Sequence, residues 1–163
     1  MNIRRATEDD LAQIQSIYAY HVLHGTGSFE SVPPSLEEMS KRYHDNQAAR
    51  FAWVVAEAEG RVSGFGYYSR FRDRHAYEHT VEDSVYVRED VIGQGAGKAI
   101  VVELLKAAQA AGFKQMLSLI GDSENIASIG VHSSLGFQTI GTMRKVGFKF
   151  ERWLDVVIMQ KAL

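Results

Sequence analysis

Apolar residues along the chain follow two periods, one typical of strands and one typical of helices. Alternating or continuous apolar runs predict strands over residues 2–6, 51–71, 80–87, 113–120, 137–143 and 152–163. The second run is a predicted hairpin that turns at Glu59-Gly60. Apolar residues three to four positions apart predict helices that begin near residues 7, 35, 95 and 124. The order requires a parallel strand–helix–strand crossover between antiparallel hairpins. We therefore expect one α/β domain over residues 1–163, with a mixed sheet and helices on both faces.

Local signals mark where several of these helices begin or end. Two pairs have the spacing of a capping box, Thr7 with Asp10 and Ser35 with Glu38. Gly112 fits the C-terminal stop of the helix before it. Both tryptophans are expected in the core, because a large apolar ring is more often buried than part of a site.

Composition and charge exclude several classes of protein. The formal net charge of −2 gives no electrostatic basis for binding nucleic acid or an anionic membrane. The chain has no cysteine, which excludes disulfides, thiolate metal sites and a cysteine nucleophile. The six histidines are scattered without the spacing of a ligand set, so we expect no metal. Because no apolar leader or membrane-length apolar stretch occurs, we expect a cytoplasmic protein with no membrane partner.

Three glycines, Gly93, Gly95 and Gly97, stand between a predicted strand and a predicted helix. Glycine permits positive φ and close approach of a ligand, so amides here can turn towards an anion at the positive end of the helix. Lys98 adds a cation. The Walker A pattern fails at Ile92 and after Lys98, and the dinucleotide fingerprint lacks its third glycine. The glycines alone are equally consistent with a tight strand-to-helix turn.

Longer motifs are more specific than the glycine loop. The segments VYVREDVIGQGAGKAIVVELL and ENIASIGVHSSLGF resemble the two cofactor-binding segments of the GNAT N-acetyltransferases. The segments GTGSFE, FRDRHAYEHTVEDSVYV and VGFKFERWLDVVIMQ resemble the phosphinothricin and methionine sulfoximine/sulfone acetyltransferase subgroup. The resemblance covers nearly the whole chain and implies the GNAT fold, a mixed, mostly antiparallel sheet whose central parallel strands splay apart. Ile92 departs from the family pattern, which usually has arginine or glutamine there, so we expect a pyrophosphate contact to be missing.

The resemblance implies that acetyl-CoA is the cosubstrate and indicates which residues bind it. The splayed strand would pair with the pantetheine arm, the glycine loop would hold the pyrophosphate, and a later helix would add contacts. The implied residues are Val85, Tyr86 and Val87 on the strand, Gly93, Gln94, Gly95, Ala96, Gly97 and Lys98 in the loop, and Asn125 and Ser128 on the helix.

Acetyl transfer to an amine needs a base for the ammonium proton and stabilisation of the leaving thiolate. Glu82 matches the catalytic glutamate of the subgroup and is the predicted base; a solvated strand residue is the alternative. His132 stands seven residues after Asn125, where many GNAT enzymes have a tyrosine that protonates the thiolate. A histidine packed on the inner face of its helix is the alternative. Backbone N–H groups near Tyr86 or Val87 are expected to bind the oxyanion.

The acceptor is expected to lie near the loop that precedes the predicted base. Arg72 and Arg74 suit an α-carboxylate or a phosphinate or sulfone oxygen. Phe29, Phe71 and Tyr77 would line a small apolar slot for the side chain. For each residue, a solvated loop position is the alternative. We expect acetylation of the α-amino group of a small amino-acid-like acceptor. The alternatives are another amine (a peptide N-terminus, a polyamine or an aminoglycoside) and a non-catalytic acyl-CoA-binding sensor. The resemblance also implies a homodimer, with aromatics of KVGFKFERWLD at its interface.

Overall fold

Seven strands and four helices form the chain in the computed structural model, which describes residues 1–163. The strands are β1 (Asn2–Arg5), β2 (Trp53–Ala58), β3 (Arg61–Arg70), β4 (Thr80–Val87), β5 (Gln115–Gly121), β6 (Gln138–Lys149) and β7 (Arg152–Ala162). The helices are α1 (Leu11–His24), α2 (Leu36–Ala48), α3 (Ala96–Ala110) and α4 (Ile126–Ser134). No helix has the length and apolar character needed to cross a membrane.

The strands form one mixed sheet in the order β1-β2-β3-β4-β5-β7-β6. Every neighbouring pair is antiparallel except β4 and β5, which are parallel and are joined through α3. The crossover predicted from the order of the elements is therefore confirmed, and so is the hairpin between β2 and β3.

The two parallel strands separate part-way along their length. Their pairing ends at Asp83 and Ser118, although β4 continues beside β3 to Val87 and β5 continues beside β7 to Gly121. We call the Asp83–Ser118 pair the fork, because a gap between β4 and β5 opens beyond it. The splay that the family resemblance implied is present.

Helices cover both faces of the sheet and divide the core into two clusters. On one face α3 packs against the central strands, with Ile100 and Leu104 fully buried. On the other face α1 and α2 pack over β2, β3 and β4, with Ile14 and Val22 of α1 almost fully buried. Each such side chain stabilises the fold by roughly 1.5–3 kcal/mol relative to leaving it exposed. Because successive strand residues point to opposite faces, β4 sends alternate side chains into each cluster.

The capping residues lie where the sequence predicted, with one change. The Ser35 hydroxyl accepts the Glu38 N–H at 3.1 Å and begins α2, and Gly112 has φ +90° just after α3. The Thr7 N–H donates to Asp10 Oδ2 at 2.8 Å, but this box caps a 3-10 turn over Glu8–Asp10 that leads into α1.

Two expectations for the C-terminal hairpin are wrong. Strand β6 runs on to Lys149 rather than ending at residue 143, because register shifts within it absorb extra residues and interrupt the apolar alternation. Trp53 is buried as expected, but Trp153 is 61% exposed. Trp153 packs only against the ring of Phe148, at 5.0 Å between centroids, because no helix covers that part of the sheet.

Candidate active site

The glycine loop presents free backbone amides at the start of α3. Gly93 and Gly95 have φ of +83° and +87°, a conformation that other residues rarely adopt. The first backbone hydrogen bond of the helix runs from the Ala99 N–H to the Gly95 carbonyl at 3.1 Å. Besides the Gly93 N–H, the amides of Gly95, Ala96, Gly97 and Lys98 have no acceptor in the protein, whereas the Gln94 N–H donates to the Val91 carbonyl at 3.3 Å. The four amides from Gly95 to Lys98 are the orphan donors of a helix N-terminus and can together hold an anion.

Few side chains add charge beside these amides. Ile92 is 57% exposed and brings no polar group, and Lys98 is exposed with no ion pair. Arg88, where the loop begins, is turned away, since its guanidinium donates to Asp90 and to the Val62 carbonyl. Anion binding here must therefore rest on the backbone and on Lys98. No group of His, Asp or Glu side chains could hold a metal ion.

Backbone directions on β4 show which predicted strand residues face the gap. The Arg88 N–H donates to the Ser63 carbonyl at 2.9 Å, and alternation along an antiparallel pair turns the amide groups of Tyr86 to β3 as well. Those of Val85 and Val87 consequently face the gap. The Val87 carbonyl already accepts a hydrogen bond from His21 Nε2 at 2.8 Å. Of the three residues predicted to pair with the pantetheine arm, Val85 and Val87 therefore face the gap and Tyr86 does not. Of the two predicted to bind the oxyanion, only Val87 has an N–H that faces the gap.

Glu82 lies one residue before the fork, on the face that carries α1 and α2. Its side chain is 27% exposed, and Oε2 is 3.9 Å from Arg72 Nη1. Burial raises the pKa of the Glu82 carboxyl above its ordinary value; the Arg72 charge acts against this shift, and the Asp83 charge adds to it. A half-buried carboxylate of raised pKa, with one loosely held cation, is suited to accept a proton.

Three further polar residues, Tyr67, Arg42 and Glu30, lie on the α1 and α2 face of the sheet and were not predicted from the sequence. Tyr67 is the register partner of Ser84, so its ring shares the face of β4 that carries Glu82. Burial raises the pKa of the Tyr67 hydroxyl, and the charges of Arg42, Glu30 and Glu82 also act on it. Arg42 holds Glu30 through two hydrogen bonds of 3.0 and 2.8 Å. These side chains come from α2, β3 and the loop before α2, and no local motif signals that they meet.

His132 is buried on the opposite face and is only 2% exposed. Its Nδ1 lies 2.8 Å from the Ser128 carbonyl oxygen, and its Nε2 lies 3.0 Å from Asp83 Oδ2 and 3.1 Å from Ser118 Oγ. Burial lowers the pKa of the imidazole, but the hydrogen bond and charge of Asp83 outweigh it, so the pKa lies above its ordinary value. Both ring nitrogens thus have partners, and those of Nε2 are the two residues of the fork. These contacts fit the packed alternative, and the thiolate role stays a prediction.

The predicted acceptor residues fall into separate places. Arg72 lies over the Phe71 ring at 4.2 Å and reaches towards Glu82, while Tyr77 packs edge-on against Phe71 at 5.5 Å. Arg74 is exposed and makes no side-chain hydrogen bond or ion pair. Phe29 lies against Gly121, at the end of β5. The structure therefore brings Arg72 and Glu82 together but leaves Arg74 in solvent.

The second predicted cofactor segment begins with Asn125, which caps α4. Its Oδ1 accepts the Ser128 N–H at 3.2 Å. This bond fixes the start of the helix that carries His132 to the fork. A cofactor contact from Asn125 or Ser128 stays a prediction.

Comparison with known proteins agrees with this geometry. Residues 3–158 match the family model described as an acetyltransferase (GNAT) domain. The chain belongs to the GNAT acetyltransferase family. It is 43% identical over 161 residues to a phosphinothricin N-acetyltransferase of Alcaligenes faecalis, covering 99% of this chain and 82% of that protein. It is 38% identical over 160 residues to an L-methionine sulfoximine/L-methionine sulfone acetyltransferase of Pseudomonas aeruginosa, covering 98% and 92%.

A solved GNAT structure has the same fold over nearly the same length. The phosphinothricin acetyltransferase of Sinorhizobium meliloti, in complex with AcCoA, superposes with a TM-score of 0.96 at 41% identity, covering 99% of this chain and 88% of that one. The predicted family, fold and enzyme class are therefore confirmed: this GNAT chain is an N-acetyltransferase.

Proposed function

We propose that this GNAT enzyme transfers the acetyl group of acetyl-CoA to the α-amino group of a small amino-acid-like acceptor. The acceptor would be of the phosphinothricin, methionine sulfone or methionine sulfoximine type, as the names of its relatives suggest. The observation that carries the proposal is that one strand, β4, connects the predicted base to the predicted cofactor-binding residues. It bears Glu82 before the fork, faces the gap with Val85 beyond it, and leads into the free amides of α3.

The residues present fit acetyl-CoA by their chemistry. The unpaired amides at the start of α3 and Lys98 would hold the diphosphate. The free backbone groups of Val85 and Val87 would pair with the pantetheine arm, which would take the place of a β5 strand beyond the fork. When bound, the thioester supplies the acetyl group that the amine attacks. Of the Val85 and Val87 N–H groups, which both face this gap, the one nearer to Glu82 would stabilise negative charge on the thioester carbonyl oxygen.

Glu82 would act as the general base. Its carboxylate would take a proton from the acceptor ammonium, directly or through one water. Partial burial raises its pKa, which makes it a stronger base than a solvated glutamate. Such catalysis contributes about 10²–10⁴-fold to the rate. Since His132 already bonds both strands at the fork, we propose for it the structural role.

Arg72 would bind the carboxylate or oxo group of the acceptor. It lies beside Glu82, its Nη1 donates to the Phe71 carbonyl at 2.6 Å, and its side chain is 55% exposed. Phe29 and Tyr77, which are 41% and 42% exposed, would contact the acceptor side chain. Arg74 makes no contact that ties it to the site, and we leave it out of the proposal.

An assay of thiol release with acetyl-CoA and a panel of amines tests this function. We expect turnover with methionine sulfone, methionine sulfoximine or phosphinothricin, and much slower turnover with polyamines, aminoglycosides and peptides. Calorimetry on the same protein should show acetyl-CoA binding. Binding with no thiol release for any amine would favour the sensor, and preference for a peptide would favour the alternative acceptor. No binding to folded protein would overturn the proposal.

We also propose a homodimer that uses the outer face of the β6–β7 hairpin. Phe148 and Trp153 are register partners whose rings pack together on this face, and the hairpin carries further exposed apolar side chains: Ile140, Val146 and Phe150. An exposed apolar patch of this kind marks a protein interface. Light scattering should give twice the mass of the chain for the wild type. The double variant Phe148→Ser, Trp153→Ser should be a folded monomer; an unchanged dimer would exclude this face.

A further inference from the structure

A buried lysine of β6 holds the loop between α1 and α2. Lys149 is 7% exposed, and its Nζ donates to the Gly25 carbonyl at 2.8 Å and to the Ser28 carbonyl at 2.7 Å. No carboxylate lies within ion-pair distance of its ammonium. The two bonds join segments more than 120 residues apart in the sequence. They therefore fix the loop to the sheet rather than to its own helices.

This arrangement has an energetic cost. Burial lowers the pKa of the Lys149 ammonium, and the more distant charge of Glu30 only partly offsets the effect. A buried cation without a paired anion is disfavoured by several kcal/mol before its hydrogen bonds are counted. Methionine would fill a similar volume at this position without that cost. The lysine is thus best explained by what its two hydrogen bonds hold in place.

The same loop has a second anchor at the far end of β5. The Thr26 hydroxyl donates to Asp122 Oδ2 at 3.1 Å, and Arg152 of β7 donates to the same carboxylate oxygen at 2.7 Å. Asp122 directly follows β5, beyond the fork. The loop therefore lies over the end of the strand that borders the gap.

The ring of Phe29, which directly follows the anchored residues, packs against strand backbone. A Cβ added to Gly147 would lie 2.3 Å from the ring, and one added to Gly121 would lie 2.9 Å from it. Only glycine leaves this space, so β5 and β6 form a slot that positions the ring. The neighbouring Ser28 and Glu30 side chains bond the Tyr18 hydroxyl, and the Tyr18 ring packs edge-on against Tyr86 of β4 at 4.9 Å between centroids. This part of the loop therefore lies beside the strand that carries Glu82.

We propose that Lys149 is a positioning residue that sets acceptor specificity. Its two hydrogen bonds hold the loop Gly25–Glu30 so that Phe29 stays in its slot and presents one edge to the acceptor side chain. The inference rests on the proposed function, because it assigns Phe29 to the acceptor pocket. It concerns the acceptor alone, since Lys149 makes no hydrogen bond or ion pair to β4 or to the start of α3.

The test is Lys149→Met, with Lys114→Met as the matched control. Lys114 is an exposed lysine at the opposite end of β5 whose side chain makes no hydrogen bond or ion pair. For Lys149→Met we expect the KM for methionine sulfone to rise about tenfold or more, with the KM for acetyl-CoA within about twofold of the wild-type value. Amide hydrogen exchange over residues 25–30 should become at least about tenfold faster, and exchange in α3 should not change. Lys114→Met should match the wild type.

Each other outcome has a defined meaning. If loop exchange becomes faster while the KM for the amine is unchanged, the loop does not set specificity and the inference is overturned. Equal rises in both KM values would indicate a general structural role and would also overturn it. If Lys149→Met does not fold, Thr26→Val, which removes the other anchor, should raise the KM for the amine by a smaller factor; no rise would again overturn the inference. An inactive wild type would instead refute the proposed function.

Discussion

Two adjacent acidic residues, Glu82 and Asp83, have opposite surroundings although they share one strand. Glu82 points to the face of α1 and α2, where its carboxyl is partly exposed and its nearest cation is 3.9 Å away. Asp83 points to the face of α3 and α4, where it is 4% exposed and bonds His132 at 3.0 Å. One carboxylate is available to a substrate, while the other is fixed inside the protein.

The comparison shows that the two faces of β4 have different roles. One face presents the proposed base, and the other face holds β4 and β5 together. Asp83, Ser118 and His132 form a buried polar cluster at the last paired position of β4 and β5. A polar cluster with directed hydrogen bonds fixes relative positions more strictly than apolar packing alone. This cluster lies where the gap between β4 and β5 opens. Glu82, the residue before Asp83, therefore lies at the edge of that gap. The following predictions test this division.

The largest expected effect is on turnover in Glu82→Gln. Removing the proposed base should lower kcat by about 10²–10⁴-fold at neutral pH, because glutamine cannot accept the ammonium proton. Acetyl-CoA binding measured by calorimetry should be unchanged, and the free energy of unfolding should change by less than about 0.5 kcal/mol. Glu37→Gln, an exposed residue of α2, is the control and should behave as the wild type. Full activity in Glu82→Gln would remove Glu82 as the base.

Asp83→Ala should act mainly on stability. It leaves His132 buried without its anionic partner, and breaking a buried pair in this way costs about 3–5 kcal/mol. Urea unfolding measures the loss. Ser118→Ala removes a neutral hydrogen bond from the same cluster and should cost only about 1 kcal/mol. Equal losses in the two variants would show that the charge of Asp83 has no special part in holding the fork.

The smallest effect concerns the acid limb of the pH–rate profile. The base must be ionised, so kcat/KM falls as the pH drops through the pKa of Glu82, which burial raises above its ordinary value. The Arg72 charge lowers this pKa, so Arg72→Gln should move the acid limb to higher pH. Arg5→Gln on the edge strand β1 is the control and should not move it. A shift to lower pH would contradict the proposed electrostatics.

Local patterns were sufficient for much of the fold. Period-two and helical spacings placed every strand and helix, and the capping pairs located the start of α2 and the turn before α1. The prediction was least accurate in β6 and at Trp153, where bulges interrupt the alternation and the sheet face is uncovered. Neither the bulges of β6 nor the exposure of Trp153 can be recognised from local sequence. A bulge depends on the partner strand, and exposure depends on whether another element packs over the residue.

For the site, the sequence by itself determined the features that arise from residues close together in the chain. The glycines of the α3 loop, the strand that feeds it and the alternation that separates Glu82 from Asp83 all follow from short-range geometry. Only the tertiary structure decided which distant groups meet them: His132 at the fork, Tyr67 on the face of Glu82, and Lys149 beneath the loop of Phe29. These contacts join segments far apart in the sequence, and their energies depend on burial and on hydrogen-bond distances that exist only once the sheet and its helices have packed together.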